Sequence, residues 1–129
     1  MWLMTTHGFY SVACGWNGSP SNPDPNIIMI RARTKGHLEN LINNFSGFLS
    51  DSDKVIHISD DTDYRYRMIL HKAVAVEIIG KMLREIDYCN FKKEAEKGTK
   101  GKEDTAYMWF LHRVWEHGYS MQAEEDIEC

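Results

Sequence analysis

The sequence predicts an α+β domain built on a single sheet, and three observations carry that expectation. Two runs of β-forming residues lie near the N-terminus, Phe9–Ala13 and Ile27–Arg33, and neither shows a helical period. A stretch with apolar residues at helical spacing follows the second run, and then comes a pair of strands with a second helix behind it. The resulting order is β-β-α-β-β-α with helical additions at the C-terminal end. Without its first strand this is a ferredoxin-like βαββαβ unit lacking the last strand. If the first strand fills that slot, the fold is a circularly permuted ferredoxin-like sandwich: one antiparallel or mixed four-stranded sheet with helices on one face. Two ββα units side by side are the alternative.

The first strand is best defined over residues 8–14, where Phe9, Tyr10 and Val12 favour extended backbone. Gly15 to Asn26 reads as a loop, since Gly15, Gly18, Pro20, Pro23 and Pro25 all interrupt regular structure. Ile27–Arg33 is a continuous apolar run ending in charges, the pattern of a central strand. Thr34 is placed to cap a helix over 35–48, whose Leu38, Leu41, Ile42 and Phe45 form one apolar stripe. Residues 55–59 and 64–70 read as a hairpin around the turn Asp60-Asp61-Thr62-Asp63. A second helix is expected over 72–87, with Val76, Ile79, Met82, Leu83 and Ile86 facing the core. Residues 88–97 read as a shorter helical piece.

The 129 residues fit one domain. It divides into a sheet-and-helix core over 1–97, a Gly/Lys-rich flexible link over 98–102, a C-terminal helix over 103–122 and a frayed acidic tail over 123–129. Hydrophobic residues make up 43% and charged residues 26%, the balance of a folding globular chain. The formal net charge of −4 argues against a nonspecific nucleic-acid coat. Cys14, Cys89 and Cys129 are widely spaced and odd in number, so they read as free thiols in a reducing compartment. The first residues carry no leader-like pattern, and no segment reaches the roughly 20 apolar residues of a membrane span. The expectation is a cytoplasmic protein without a membrane partner.

Charge is unevenly distributed. Four of the six arginines lie in two short strands, as Arg31 and Arg33 and as Arg65 and Arg67. Residues two apart on a strand share a face, so each pair projects together. With the two strands adjacent and parallel at the sheet centre, the face away from the helices would collect all four, with His71 close by. Guanidinium forks suit phosphate and carboxylate oxygens because two N–H groups bind at once. Lys35 and Lys72 stand beside the strand ends. Tyr10, Tyr64 and Tyr66 are nearby, although alternation sets Tyr64 and Tyr66 on the face opposite Arg65 and Arg67. The plainer account pairs these arginines with Asp60, Asp61, Asp63 and glutamates on a solvated sheet.

Other chemistries find less support. Asp60, Asp61 and Asp63 supply oxygen ligands of the type magnesium or calcium prefers, yet they do not have EF-hand spacing. His112, Glu116 and His117 match neither zinc-protease pattern. Ser19 and Ser21 lack a nucleophile elbow, Cys89 lacks a histidine-bearing motif, and Gly15-x-x-Gly18 is no phosphate loop. Trp109, Trp115 and Tyr119 on the last helix suit a core or a dimer interface better than a cofactor box.

One further pattern runs through most of the chain: Trp2-Leu3 followed by Gly8-Phe9-Tyr10-Ser11-Val12, Ile30-Arg31-Ala32-Arg33, Thr62-Asp63-Tyr64-Arg65-Tyr66-Arg67, Asp87-Tyr88-Cys89-Asn90-Phe91-Lys92, and Trp115 near the end. It resembles a set of short uncharacterised proteins of bacteria, their phages and mobile elements. The resemblance transfers no activity. It implies a protein that acts by binding, either inhibiting a host factor or sequestering a nucleotide signal in a counter-defence role.

The expected function is therefore a non-enzymatic module that binds a phosphate-bearing ligand through Arg31, Arg33, Arg65, Arg67 and His71, without a cofactor. A nucleotide or nucleotide-derived signal fits best, and short single-stranded RNA comes next. The competing expectation is a protein-binding module, a homodimer gripping its partner through Trp109, Trp115 and Tyr119. A metal-dependent nuclease or hydrolase using Asp60, Asp61 and Asp63 ranks last.

Overall fold

In the computed structural model, which describes residues 1–98 and 105–127, the strands are β1 (Trp2–Met4), β2 (Phe9–Trp16), β3 (Pro23–Ala32), β4 (His57–Ile58) and β5 (Tyr66–His71). They form one open sheet in the order β1-β2-β3-β5-β4, antiparallel at every junction. Helix α1 (Lys35–Asn44) lies between β3 and β4, and α2 (Lys72–Arg84) follows β5. Helices α3 (Phe91–Gly98) and α4 (Thr105–Ile127) complete the chain. Strands β2, β3, β5 and β4 have the neighbours of a ferredoxin-like sheet whose last strand is supplied from the N-terminal end. To these, β1 adds a fifth, edge strand.

The two arginine-bearing strands are adjacent, as expected, but they do not run parallel. The crossover through α1 joins β3 to β4, and β5 sits between them as the hairpin partner of β4. A strand inserted into a split β-α-β unit by a hairpin must oppose both of its neighbours.

Local boundaries shift in several places. β3 begins at Pro23, inside the expected loop, because β2 and β3 continue to pair beyond a bulge at Cys14/Gly15. Prolines are tolerated there because β5 reaches only as far as Ile27, leaving that side of β3 open. Thr34 does occupy the N-cap of α1, but its side chain makes no capping bond. α1 stops at Asn44 and gives way to a 3-10 turn at Ser46–Phe48. The 55–59 strand shrinks to His57–Ile58. α4 runs to Ile127, beyond the expected end at 122. The link expected over 98–102 lies outside the described residues from 99 onward, as does Cys129. Cys14 and Cys89 are exposed free thiols.

The main core forms between one sheet face and helices α1 and α2. Tyr10, Val12, Ile30, Ala32, Met68 and Leu70 from the sheet meet Leu38, Leu41, Phe45, Ala75 and Ile78. The stripe expected on α1 is therefore the buried one. On α2 the stripe is rotated: Ala75 and Ile78 are buried and Ile79 and Met82 pack beside them, whereas Val76, Leu83 and Ile86 are exposed. α3 and α4 build a second cluster with Phe9 and Tyr64, through Ala95, Tyr107 and Leu111.

His37 joins the two clusters. Its Nδ1 accepts the Phe9 backbone N–H at 3.2 Å, and its carbonyl accepts the Tyr10 hydroxyl at 2.7 Å. Its ring meets Tyr107 at 4.7 Å between centroids. Gly8 makes the approach feasible, since a Cβ there would lie 2.5 Å from His37 Cγ on backbone with φ of +155°.

Two outcomes follow from this junction. Gly8→Ala, which places a methyl against the imidazole on unfavourable backbone, is expected to cost about 2 kcal/mol or more in urea unfolding. Burial, with Tyr107 adding to it, raises the Tyr10 hydroxyl well above its ordinary pKa of 10.0. A group whose folded-state pKa is raised stabilises the fold below its unfolded value and loses that contribution as pH rises. Tyr10→Phe is therefore expected to cost about 1 kcal/mol at neutral pH and to blunt the loss of stability in alkali. Melts across the alkaline range read both effects.

Candidate functional site: arginines around Tyr64

Register places the arginines. Arg31 on β3 stands directly opposite Arg67 on β5, on the face away from α1 and α2. The same row continues through Ser11 and Trp2 on one side and His57 on the other. Arg33 and Arg65 are two residues further along, at the same end of the sheet, just beyond Ala32 and Tyr66, the last residues paired between the two strands. Like charges opposed across strands destabilise a sheet.

The four guanidinium groups are held in different ways. Arg31 donates to the Ser11 hydroxyl at 2.8 Å, and Arg33 to the Asp63 carbonyl at 2.9 Å. Arg67 donates to Thr62 Oγ1 at 2.8 Å and to the Tyr64 carbonyl at 3.4 Å. Among the described residues only Arg65 meets a carboxylate, with its Nε 3.2 Å from Asp60, and that pair is largely exposed. Among the described residues, Arg31, Arg33 and Arg67 have no ion pair. The simple pairing of these arginines with the acidic turn thus holds for one of the four.

Tyr64 organises the group. The Arg31 guanidinium carbon lies 4.8 Å from the centroid of its ring and that of Arg33 lies 4.5 Å away, so both cations rest against one aromatic ring. The ring itself is buried against Phe9 and the second cluster. Alternation had set Tyr64 on the far side of the sheet. It escapes that rule because β5 starts only at Tyr66, and the backbone before it is turn. Tyr66 and Tyr10 do obey alternation and pack with the main core.

The Nε atoms of Arg31 and Arg67 are buried and have no hydrogen-bond partner among the described residues. Burial, and then the Arg31 charge, lower the pKa of Arg67 from its ordinary value. A guanidinium nevertheless stays charged at any working pH. The result is a small region of concentrated positive charge on a protein of net charge −4.

The other predicted residues are dispersed. His71 is on the same face but pairs with Ile27, four residues along β5 from Arg67, which is about 13 Å of strand. Lys72 starts α2 at that same far end, and Lys35 starts α1. Asp61 and Asp63 are exposed, and Asp63 contributes its carbonyl rather than its carboxylate. His112 Nε2 lies 3.0 Å from Glu116, an ordinary i,i+4 pair on α4. Among the described residues no group of three His, Cys, Asp or Glu is arranged to hold a metal ion. Trp109, Trp115 and Tyr119 all project into solvent. Trp2 and His57 stand at the ends of the arginine row, where no sequence pattern placed them, because only register reveals that they share it.

Family models, curated proteins and solved structures were compared with this chain, and none of them matches it.

Tyr64→Ala is expected to cost about 3 kcal/mol or more, as for other buried aromatics. Tyr64→Phe, which keeps the ring that the cations rest on, is expected to cost under about 1 kcal/mol. Equal losses for the two variants in denaturant unfolding would assign the role to the hydroxyl instead.

Proposed function

We propose that this protein is a non-enzymatic binding module that takes up a phosphate-bearing ligand at Arg31, Arg33 and Arg67. The observation that carries the reading is the gathering of these three guanidinium groups around Tyr64, none of them in an ion pair among the described residues. An opposed like-charge pair lowers stability, and an anion seated between the guanidinium groups removes that penalty while engaging donors in forked geometry. Arg65 is a fourth contributor, because an exposed ion pair such as Arg65–Asp60 is worth little and exchanges readily for a ligand.

A nucleotide or nucleotide-derived signal fits the face best. Trp2 lies in the same row as the arginines and is exposed, offering a surface on which a base can stack. Short single-stranded RNA extends the same chemistry. In the setting that the sequence resemblance implies, sequestering such a signal would serve counter-defence. A second reading, a module that grips a protein partner, is supported by the exposed rings of Trp109, Trp115 and Tyr119 on α4.

A thermal-melt screen against mono-, di- and cyclic nucleotides and short oligonucleotides, with inorganic phosphate as control, tests the proposal. A ligand at about 100 times its dissociation constant stabilises by roughly 2.7 kcal/mol, a shift of several degrees. The shift is expected to vanish in Arg31→Ala/Arg67→Ala and to shrink in Arg65→Ala. Arg67→Lys, which keeps the charge but loses the fork, is expected to retain only part of it. A flat screen, or a shift that survives the double variant, overturns the reading.

A further inference from the structure

The three guanidinium groups around Tyr64 are anchored in a way that leaves part of each unused. Arg31 is held through Nη2 on the Ser11 hydroxyl, and Arg33 through Nη1 on the Asp63 carbonyl. Arg67 is held through Nη2 on the Thr62 hydroxyl and the Tyr64 carbonyl. The other terminal nitrogen of each group (Arg31 Nη1, Arg33 Nη2 and Arg67 Nη1) has no hydrogen-bond partner among the described residues. A guanidinium has five N–H donors, so anchoring by one nitrogen leaves a second edge able to bind.

Tyr64 keeps these edges together. Arg31 and Arg33 rest on its ring at 4.8 and 4.5 Å from the centroid, so their guanidinium carbons are separated by no more than the sum of those distances. Arg67 bonds the carbonyl of the same residue and stands opposite Arg31 across the strands, where paired residues are about 5 Å apart.

The charges also survive. Asp60 pairs with Arg65, and Asp61 and Asp63 are exposed on the turn, where water and salt screen them. Arg31 and Arg67 are half-buried, and screening there is weaker.

Phosphate esters differ in what they bring to such a site. An internal phosphodiester carries one negative charge and two terminal oxygens. A phosphate at the end of a molecule carries close to two charges at neutral pH and three terminal oxygens. Three cations with one unused edge each match the end phosphate, whereas a diester leaves one of them without an acceptor.

We infer that the site selects a terminal phosphate over an internal phosphodiester, with Arg31, Arg33 and Arg67 each taking one of its terminal oxygens. This rests on the anion-binding reading above and narrows it. The ligand is a nucleoside monophosphate or the phosphorylated end of an oligonucleotide, and cyclic nucleotides and internal strand positions bind more weakly. Trp2, exposed in the same row and two strands from Arg31, about 10 Å away, takes the base next to that phosphate.

Isothermal titration of the full chain tests the preference on two matched pairs. Adenosine 5′-monophosphate is compared with adenosine 3′,5′-cyclic monophosphate. A short oligonucleotide pool of randomised sequence with a 5′-phosphate is compared with its hydroxyl-ended twin. In each pair the terminal phosphate is expected to bind at least about tenfold tighter, the worth of one hydrogen bond to a charged group. Arg33→Ala alters an exposed side chain and is expected to keep a cooperative melt while bringing each pair close to parity. Tighter binding of the phosphorylated pool than of the mononucleotide supports a strand end as the source, and the reverse supports a free nucleotide. Equal affinities within each pair, both lost in Arg31→Ala/Arg67→Ala, leave the anion site standing and overturn the terminal-phosphate inference. A preference undiminished in Arg33→Ala overturns the part given to Arg33. No binding of any of the four probes overturns both the inference and the reading beneath it.

Discussion

The antiparallel pairing of β3 with β5 is the constraint on which the other features depend. It arises because α1 carries the chain from β3 over to β4, leaving a central gap that β5 fills from the β4 hairpin. Ile30 then meets Met68 and Ile28 meets Leu70 on the face that α1 and α2 cover. The same register sets Arg31 against Arg67 on the other face. Because side chains alternate strictly along a strand, burying the first set obliges the second to share one surface. The main core and the cationic cluster are thus two consequences of one alignment.

Such a cluster costs stability unless something compensates for it, and the compensation here comes from neutral groups. The Ser11 hydroxyl, the Thr62 hydroxyl and the carbonyls of Asp63 and Tyr64 accept the guanidinium donors, and the Tyr64 ring lies against two of the cations. Acceptors of this kind satisfy hydrogen bonds without cancelling charge. The 59–64 turn and the arginines consequently hold each other in place: the turn supplies the acceptors, and the side chains fix the turn. A carboxylate in the same role would have neutralised the site.

The molecule presents two surfaces of opposite character. The sheet face carries its cationic cluster around Arg31 and Arg67, and that cluster depends on strand register. The exposed rings of Trp109, Trp115 and Tyr119 on α4 form an aromatic surface that depends on helical spacing alone. They are joined through the second cluster, in which Tyr64 from the arginine site packs near Tyr107 and Leu111 from α4. His37 bridges that cluster to the main core.

The sequence by itself determined the α+β class, the order of the main elements, the apolar stripe of α1 and the concentration of arginine in two strands. Each of these rests on interactions between residues close in the chain, through period, propensity and composition. Tertiary structure alone decided the direction of β5 relative to β3, the extra edge strand β1 and the rotation of α2 about its axis. It also brought Trp2 and His57 into the arginine row, left His71 at the far end of its strand and turned the Tyr64 ring into the cations. Those outcomes depend on which strand fills the gap beneath a crossover, and on where a turn ends and a strand begins. Local sequence expresses neither, because the deciding contacts join different strands, some as far apart in the chain as Arg31 and Arg67.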